Sequence, residues 1–351
     1  MGVITGAEIF GNNAQRDAGG IGNRGTLTLS SSTISGNDAQ QRAGGLGNDV
    51  DGIVTITDTT ISGNAVGDVG GGIGNLGQLD LITSDVTGNS STASFSGGGG
   101  IYNALGTLDV NNSNIVGNDS QEGGGGITND SGMITINDNL ISDNETFQTI
   151  GDADGSGVSN SFGTVNVSNT TFSGNSAEGL GGAISNIDGT FTLEDSLLTQ
   201  NVATSGGGGI YNDGTFEVTN STLSGNETDG SGGGLFNIEQ TASQIAILNA
   251  TIANNRSDRG GGGGGGLGGG IFVDGGNVVL TNTIVAVNIR GSLTQTDDIN
   301  GTVDDASTFN LIGDGTGLIG IANGGQGNQI GDAQDPIDPQ LGPSKTTVAT
   351  P

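Results

Sequence analysis

Apolar residues along this chain follow no short period. They recur in a frame whose repeats are 25 to 33 residues apart. Asparagines closing "STISGN"-type segments mark the frame, at Asn12, Asn37, Asn64, Asn89, Asn118, Asn144, Asn175, Asn201, Asn226, Asn255 and Asn288. Counting back three residues from each asparagine after Asn12 gives an unbroken apolar row from Ile34 to Val285. Counting back eight gives Leu29 to Leu280, and ten gives Leu27 to Val278. A fourth row, Ile21 to Ile271, lies two residues before a second asparagine series that starts at Asn23, Asn48, Asn75 and Asn103 and runs to Asn237; in the following copy Val273 takes the asparagine's place. Together the four rows supply forty apolar residues in forty positions of a chain that is 31% apolar, so the register is not chance.

The two-residue step between the eighth and tenth positions is strand alternation. Both side chains share one face, and Thr28, Thr55 and Asp109 lie on the other. Each repeat then holds three short strands, typified by "GGIYN", "TLTL" and "STISGN". A strand this short buries its apolar face only against the same strand of the next repeat. The pattern predicts an all-β chain: a right-handed, single-stranded parallel β-helix solenoid of about eleven coils. At roughly 4.8 Å per coil the rod is on the order of 50 Å long. An amide has two donors and an acceptor, so each asparagine can satisfy turn backbone and also bond its copies above and below. The series therefore reads as a structural ladder, and Ile101 and Asn103, two apart on one strand, both face inward. Residues 1–290 carry the repeats, 291–331 read as a degenerate coil and C-terminal cap, and 332–351 as a loosely ordered tail.

Composition narrows the function classes. Glycine numbers 73 but shows no three-residue period, and there are four prolines, which excludes collagen. The formal charge is −30, from 37 carboxylates against six arginines and Lys345, so the chain lacks the clustered cations that a nucleic-acid partner or an anionic membrane surface requires. It has no cysteine and no histidine, which removes disulfides, serine–histidine–aspartate and thiol nucleophile chemistry and the usual zinc sites. No stretch approaches the roughly 18 apolar residues of a transmembrane segment, and the first residues, "MGVITGAEIFGN", have neither a basic nor an apolar signal region. The chain opens almost inside a repeat, so Met1 reads as the start of a fragment, with a cytosolic protein as the alternative.

The segments "GGAISN" at 181–186 and "TFSGNSA" at 171–177 resemble the paired Gly-Gly-Ala-Ile and Phe-x-x-Asn motifs of chlamydial polymorphic outer membrane proteins. More broadly the repeats are similar to bacterial right-handed β-helix proteins of the pectin-lyase-like superfamily. The tail "NTIVAVN…NLIGDGTG…DPIDPQLGP" is similar to the end of extracellular β-helix proteins with a variable C-terminal anchor. The resemblance covers roughly residues 1 to 290 and implies the fold, with a secreted or cell-surface bacterial location. Pectate-lyase-like chemistry, which the resemblance also brings in, uses calcium and a basic residue on the flank of the helix.

Arg256 and Arg259, with Asp258 between them, are the cluster that such chemistry would need. They adjoin the Gly260 to Gly266 run, which lacks the Gly-Lys-Ser/Thr of a phosphate loop, so they read as a binding loop and not as a catalyst. The paired carboxylates Asp297 and Asp298, and Asp304 and Asp305, read as solvated turn residues. Asp152, Asp154 and Ser156 before Gly157 resemble half of a calcium loop, but position twelve is Gly163, so calcium has an oxygen cluster there and no EF-hand. Tyr102 and Tyr211 share one repeat position and are expected to point outward, where aromatic faces can stack on sugars; four coils apart, roughly 19 Å, they are too distant for one small ligand and read first as ordinary surface residues, with sugar binding as the alternative. The distance between the two asparagines of a coil, usually eleven residues, grows to 14 after Asn89, 16 after Asn144 and 18 after Asn255, and insertions in solenoids map to one face. These features point to a non-catalytic surface scaffold or adhesin-like passenger that offers this face to carbohydrate or to a host or cell-surface protein, as a monomer or as part of a longer chain. The alternatives are a polysaccharide-binding or polysaccharide-cleaving protein and a mechanical spacer.

Overall fold

The computed structural model describes residues 1–92, 97–147, 155–238, 243–261, 265–292 and 295–342. One coil shows the plan. It contains strands Ile101–Ala104, Thr107–Asn111, Asn114–Val116 and Asp119–Ser120. The next coil repeats them in parallel register, with Ile101 beside Ile127, Leu108 beside Ile134, Ile115 beside Ile141 and Ser120 beside Thr146. About eleven such turns make a parallel β-solenoid. Among the described residues its strands form three sheets of 21, 13 and 12 strands, here termed broad, middle and narrow.

The coil differs from its expected form in two ways. The "GGIYN" and "TLTL" strands are successive parts of the one broad sheet, and in two coils they fuse into the continuous strands Ile184–Glu194 and Ile210–Thr219. The narrow sheet was not foreseen. It consists of two-residue strands directly after the first asparagine, and each has one inward residue, such as Ala39, Val66, Ser91, Ser120 or Thr146. A single small inward residue leaves no apolar period to read.

All four aliphatic rows enter one core. Of the forty residues only Ile21, in the first coil, is merely half-buried, and the others are buried in a single cluster. Phe191 and Phe216 stack within it at 4.8 Å. The asparagine columns run beside this core. Asn89 Nδ2 donates to Asn118 Oδ1 at 3.0 Å and to Ile61 O of the previous coil at 2.9 Å, while the Asn89 backbone N–H donates to the same Asn118 Oδ1 at 3.0 Å. The same three bonds recur at Asn118, Asn144, Asn175, Asn201 and Asn226, and equivalents hold Asn37 and Asn64. Each interior amide thus uses both donors and accepts twice, which removes the cost of burying it. The second series forms its own column from Asn23 to Asn237 through 2.7–2.9 Å amide bonds. At its end Asn237 Nδ2 turns to Ser243 Oγ and Gly275 O, because Val273 offers no acceptor.

A third buried polar column, also unforeseen, lies five residues before the first asparagine: Ser32, Thr59, Ser84, Ser113, Asn139, Thr170, Ser196 and Ser221. Ser84 Oγ accepts Thr59 N–H at 3.1 Å and donates to Ile82 O at 2.8 Å, closing a corner whose preceding residue, Thr83, has φ of 45°. Beyond Asn288 the chain departs from the frame. Ile289–Arg290 pairs antiparallel with Gln295–Thr296 at the end of the narrow sheet, while Ile299, Val303 and Ile312 extend the core. Residues 343–351 of the expected tail lie outside the described residues.

Candidate functional site

The three long connections leave the narrow sheet at the same angular position and re-enter the broad sheet through glycine: Gly99 and Gly100, the single Gly157, and Gly269 and Gly270. Ser90–Ser91, Glu145–Thr146 and Arg256–Ser257 are the strands from which they start. The glycines are sterically required: a Cβ at Gly99 would fall against the Asp119 carbonyl of the next coil. The inward residue at the head of each long connection is Ser91, Thr146 or Ser257; in coils with the eleven-residue spacing it is Ala39, Val66, Ala177 or Ala203, but also Ser120 or Thr228, so the hydroxyl is not confined to the long connections. Their hydroxyls tie down backbone and side chains of the flank. Ser91 Oγ donates to Asp68 O, and Thr146 Oγ1 lies 3.0 Å from Ser156 Oγ, which in turn donates to Ser176 O at 2.5 Å. Ser156, expected on a calcium loop, is therefore fully buried and bonded within the coil stack. Its expected companions Asp152 and Asp154 lie outside the described residues. Among the described residues no group of three or more histidine, cysteine, aspartate or glutamate side chains is arranged to hold a metal ion.

Around the longest connection the cations are engaged. Arg259 Nε and Nη2 both donate to Asp229, at 3.1 Å each, in the bidentate geometry that suits guanidinium and carboxylate. Arg256 Nε donates to Gly291 O at 2.8 Å and its Nη2 to Arg259 O at 2.6 Å. Asp258 adopts φ of 49° at the turn and accepts Gly261 N–H through its backbone carbonyl at 2.9 Å. Asp258 and the two arginines thus brace the start of the loop against the coils on either side.

Tyr102 is half-buried, its hydroxyl 3.3 Å from Asp130 Oδ2. Burial first, and then the Asp130 charge, push the phenol up to about 12, so it stays a donor. Tyr211, expected at the surface, is 4% exposed. It opens an aromatic row on the outer face of the broad sheet, with Phe236 at 5.6 Å edge-on and Phe272 a further 5.1 Å along. Phe236 and Phe272 are half-buried beside the mouth of the longest connection. The phenylalanines at the tyrosine position signalled this row; attention to tyrosine alone missed it. Glu122, at the foot of the same flank, is buried, its Oε1 meets no hydrogen-bond partner among the described residues, and burial raises its pKa.

Asp297 and Asp298 are not solvated turn residues. Asp298 is 1% exposed and ends the first asparagine column, and the Asp297 side chain is 11% exposed. Asp304 and Asp305 do lie at a turn, where Asp304 Oδ1 accepts Ala306 N–H at 2.8 Å. Among the described residues no helix is long and apolar enough to cross a membrane. No family model matches the chain, nor does any curated protein or solved structure.

Proposed function

We propose that this solenoid is a non-catalytic, exported surface module of the adhesin or scaffold type, and that the insertion flank is its contact surface. The observation that carries this reading is the concentration of length variation: 14, 16 and 18 residues in place of eleven between the narrow and broad sheets of three coils, against 14 to 18 over the rest of the coil, while the inward rows stay in register. A rigid body that varies its loops on one side is the arrangement of binding scaffolds. The flank offers its strongest contact patch at the longest connection, whose start is held by the Arg259–Asp229 clamp and whose end leads directly into Phe272, packed on Phe236. Aromatic faces beside polar loops suit a saccharide or a protein loop. The engagement of Arg256 and Arg259 by backbone and by Asp229 favours binding over proton abstraction, and the family relation to pectin-lyase-like and chlamydial β-helix proteins belongs to the same proposal.

Replacing the connection after Asn255 with an eleven-residue one copied from the coil after Asn226 tests this. The melting temperature is expected to stay within a few degrees, and binding on a glycan array or to intact cells to disappear. Turnover of an acidic polysaccharide that is lost in Arg256→Ala or Arg259→Ala would replace the proposal with a lyase.

A further inference from the structure

The first two coils hold a pocket in which the long connections take no part. On the outer face of the broad sheet the middle residue of the "GGIYN"-type strand is Tyr102, Thr128, Tyr211, Phe236 or Phe272 in later coils, but Gly22, Gly47 and Gly74 in the first three. Without side chains at that position, a cavity of about 350 Å³ opens over Gly22 and Gly47. Its floor is backbone and methyl. Ala18 and Ala43 have φ of 54° and 56°, where the equivalent residues of later coils are glycines such as Gly70, Gly181 and Gly207. A Cβ is uncommon in that conformation. The strand glycine leaves it room here, since a Cβ on Gly47 would stand 3.3 Å from Ala18 Cβ and 3.4 Å from Ala43 Cβ.

Four charged residues rim this cavity, and their pairing is incomplete. Arg24 Nε meets Asp49 Oδ2 at 3.1 Å, and Arg42 Nη2 stands 3.9 Å from Oδ1 of the same carboxylate, so two guanidinium groups share one anion. The Arg42 stem lies along Gly74, where a Cβ would come within 3.1 Å of its Cγ. Its guanidinium makes no hydrogen bond among the described residues, and its Nε is buried without an acceptor, so its donors are unspent. Asp17, across the strand from Arg24, is exposed, and its carboxylate has no hydrogen bond or ion pair among the described residues. Arg16 and Asp51 do not line the cavity. One side of the pocket thus carries a positive charge in excess and the other a free carboxylate. A plain anion would meet Asp17 and a chain of charge −30, and a plain cation would meet two arginines. Residues 13–49 are themselves balanced, with Arg16, Arg24 and Arg42 against Asp17, Asp38 and Asp49. We propose that this pocket binds a small zwitterion of the amino-acid or dipeptide class, with its carboxylate at Arg24 and Arg42 and its ammonium at Asp17. Strand Ile21–Asn23 separates the two sides by roughly 10 Å, and a dipeptide spans roughly 7 Å between its ends, so the charged side chains need only lean inward.

Titration of the full chain, followed by NMR at the backbone amides of Gly22 and Gly47, tests the site with alanylalanine as the probe. Saturable shifts are expected with a Kd of about 1–10 mM, the range of a small ligand with few contacts. N-acetyl-alanylalanine lacks the cation and alanylalanine amide lacks the anion. Each is expected to bind about tenfold more weakly or worse, because each loses a charge-assisted hydrogen bond. Arg42→Gln is expected to weaken alanylalanine and leave the amide no weaker than before, and Asp17→Asn to weaken alanylalanine and leave the acetyl form no weaker than before. A general loosening of the coil would not sort the ligands in this way. Gly22→Thr places in the first coil the residue that Thr128 supplies later, and its Cβ would meet only Ala18 Cβ, at 3.5 Å. This variant is expected to abolish binding at an unchanged melting temperature. The proposal is overturned if alanylalanine gives no saturation by about 100 mM, if the blocked forms bind as well as it does, or if Gly22→Thr binds as the parent does. It is overturned equally if galactose or inorganic phosphate shifts the same amides at lower concentration.

Discussion

In the body of the rod the first polar column is built of asparagine from Asn12 to Asn288, whereas at its C-terminal end the next place is taken by Asp298. The interior amide lies between two coils and must donate to one and accept from the other. Asp298 has N–H groups only. Its Oδ1 accepts the backbone and side-chain N–H of Asn288, both at 2.8 Å, and its Oδ2 accepts Asp314 N–H at 2.7 Å. The amide-to-amide N–H bonds of the column all point toward this end, with the amide oxygens facing the other way, so their dipoles present positive charge to it, much as a helix N-terminus does. A carboxylate is thus the matched terminator of a column whose interior it would disrupt. The setting is not wholly favourable, because Asp314 is also buried and Asp297 lies next to it, balanced in part by Arg290 Nη1 at 3.8 Å.

The contrast is broken most severely by moving the terminator inward. Asn118→Asp would aim a carboxylate oxygen at Asn144 Oδ1 and Val86 O, now 3.0 and 2.9 Å from Nδ2, with no hydrogen between them. The expected loss is about 4 kcal/mol or more, read from the urea midpoint, because an uncompensated charge is buried. A loss no larger than that of a surface substitution would show that the column tolerates charge anywhere.

A smaller effect sharpens the other side of the comparison. Burial raises Asp298 from 3.8 to about 6, against the pull of its three N–H partners. The folded state then holds this proton more tightly than the unfolded chain, so stability is gained as pH falls from about 6 toward 4 and is missing above that window. A two-unit shift corresponds to roughly 2–3 kcal/mol across the window. Asp298→Asn is expected to flatten the rise in melting temperature between pH 7 and pH 4.5 relative to the parent, whose remaining carboxylates supply a common background. An unchanged slope would mean that Asp298 is not the titrating group.

What could be read from the sequence follows the same physics. The aliphatic rows were legible because one inward residue type repeats without exception, from Ile34 to Val285, and the amide columns because only asparagine meets their demand on both sides. The corner column of Ser32, Thr59, Ser84 and Asn139 was not legible, since any residue that accepts one N–H and donates one hydrogen serves there, and serine and threonine are common at any turn. Asp298 was misread for a related reason. Outside the frame, nothing in "TQTDDING" separates a buried terminator from a solvated turn. Of the contact flank, the position and length of the insertions could be read directly. The Arg259–Asp229 clamp and the Tyr211–Phe236–Phe272 row depend on which residues stacking brings together across 25 to 36 positions, and Tyr211 was buried by that packing.

The central claim is that buried amides, bonded coil to coil, run the length of a dry aliphatic column. Hydrogen exchange of the asparagine side-chain NH₂ protons, resolved by NMR on labelled protein, measures this directly. The protons of Asn64 through Asn226 are predicted to exchange only by global or subglobal opening, as slowly as the backbone amides of the broad sheet. Exchange at the rate of exposed asparagines such as Asn13 or Asn277, with the backbone still protected, would contradict it.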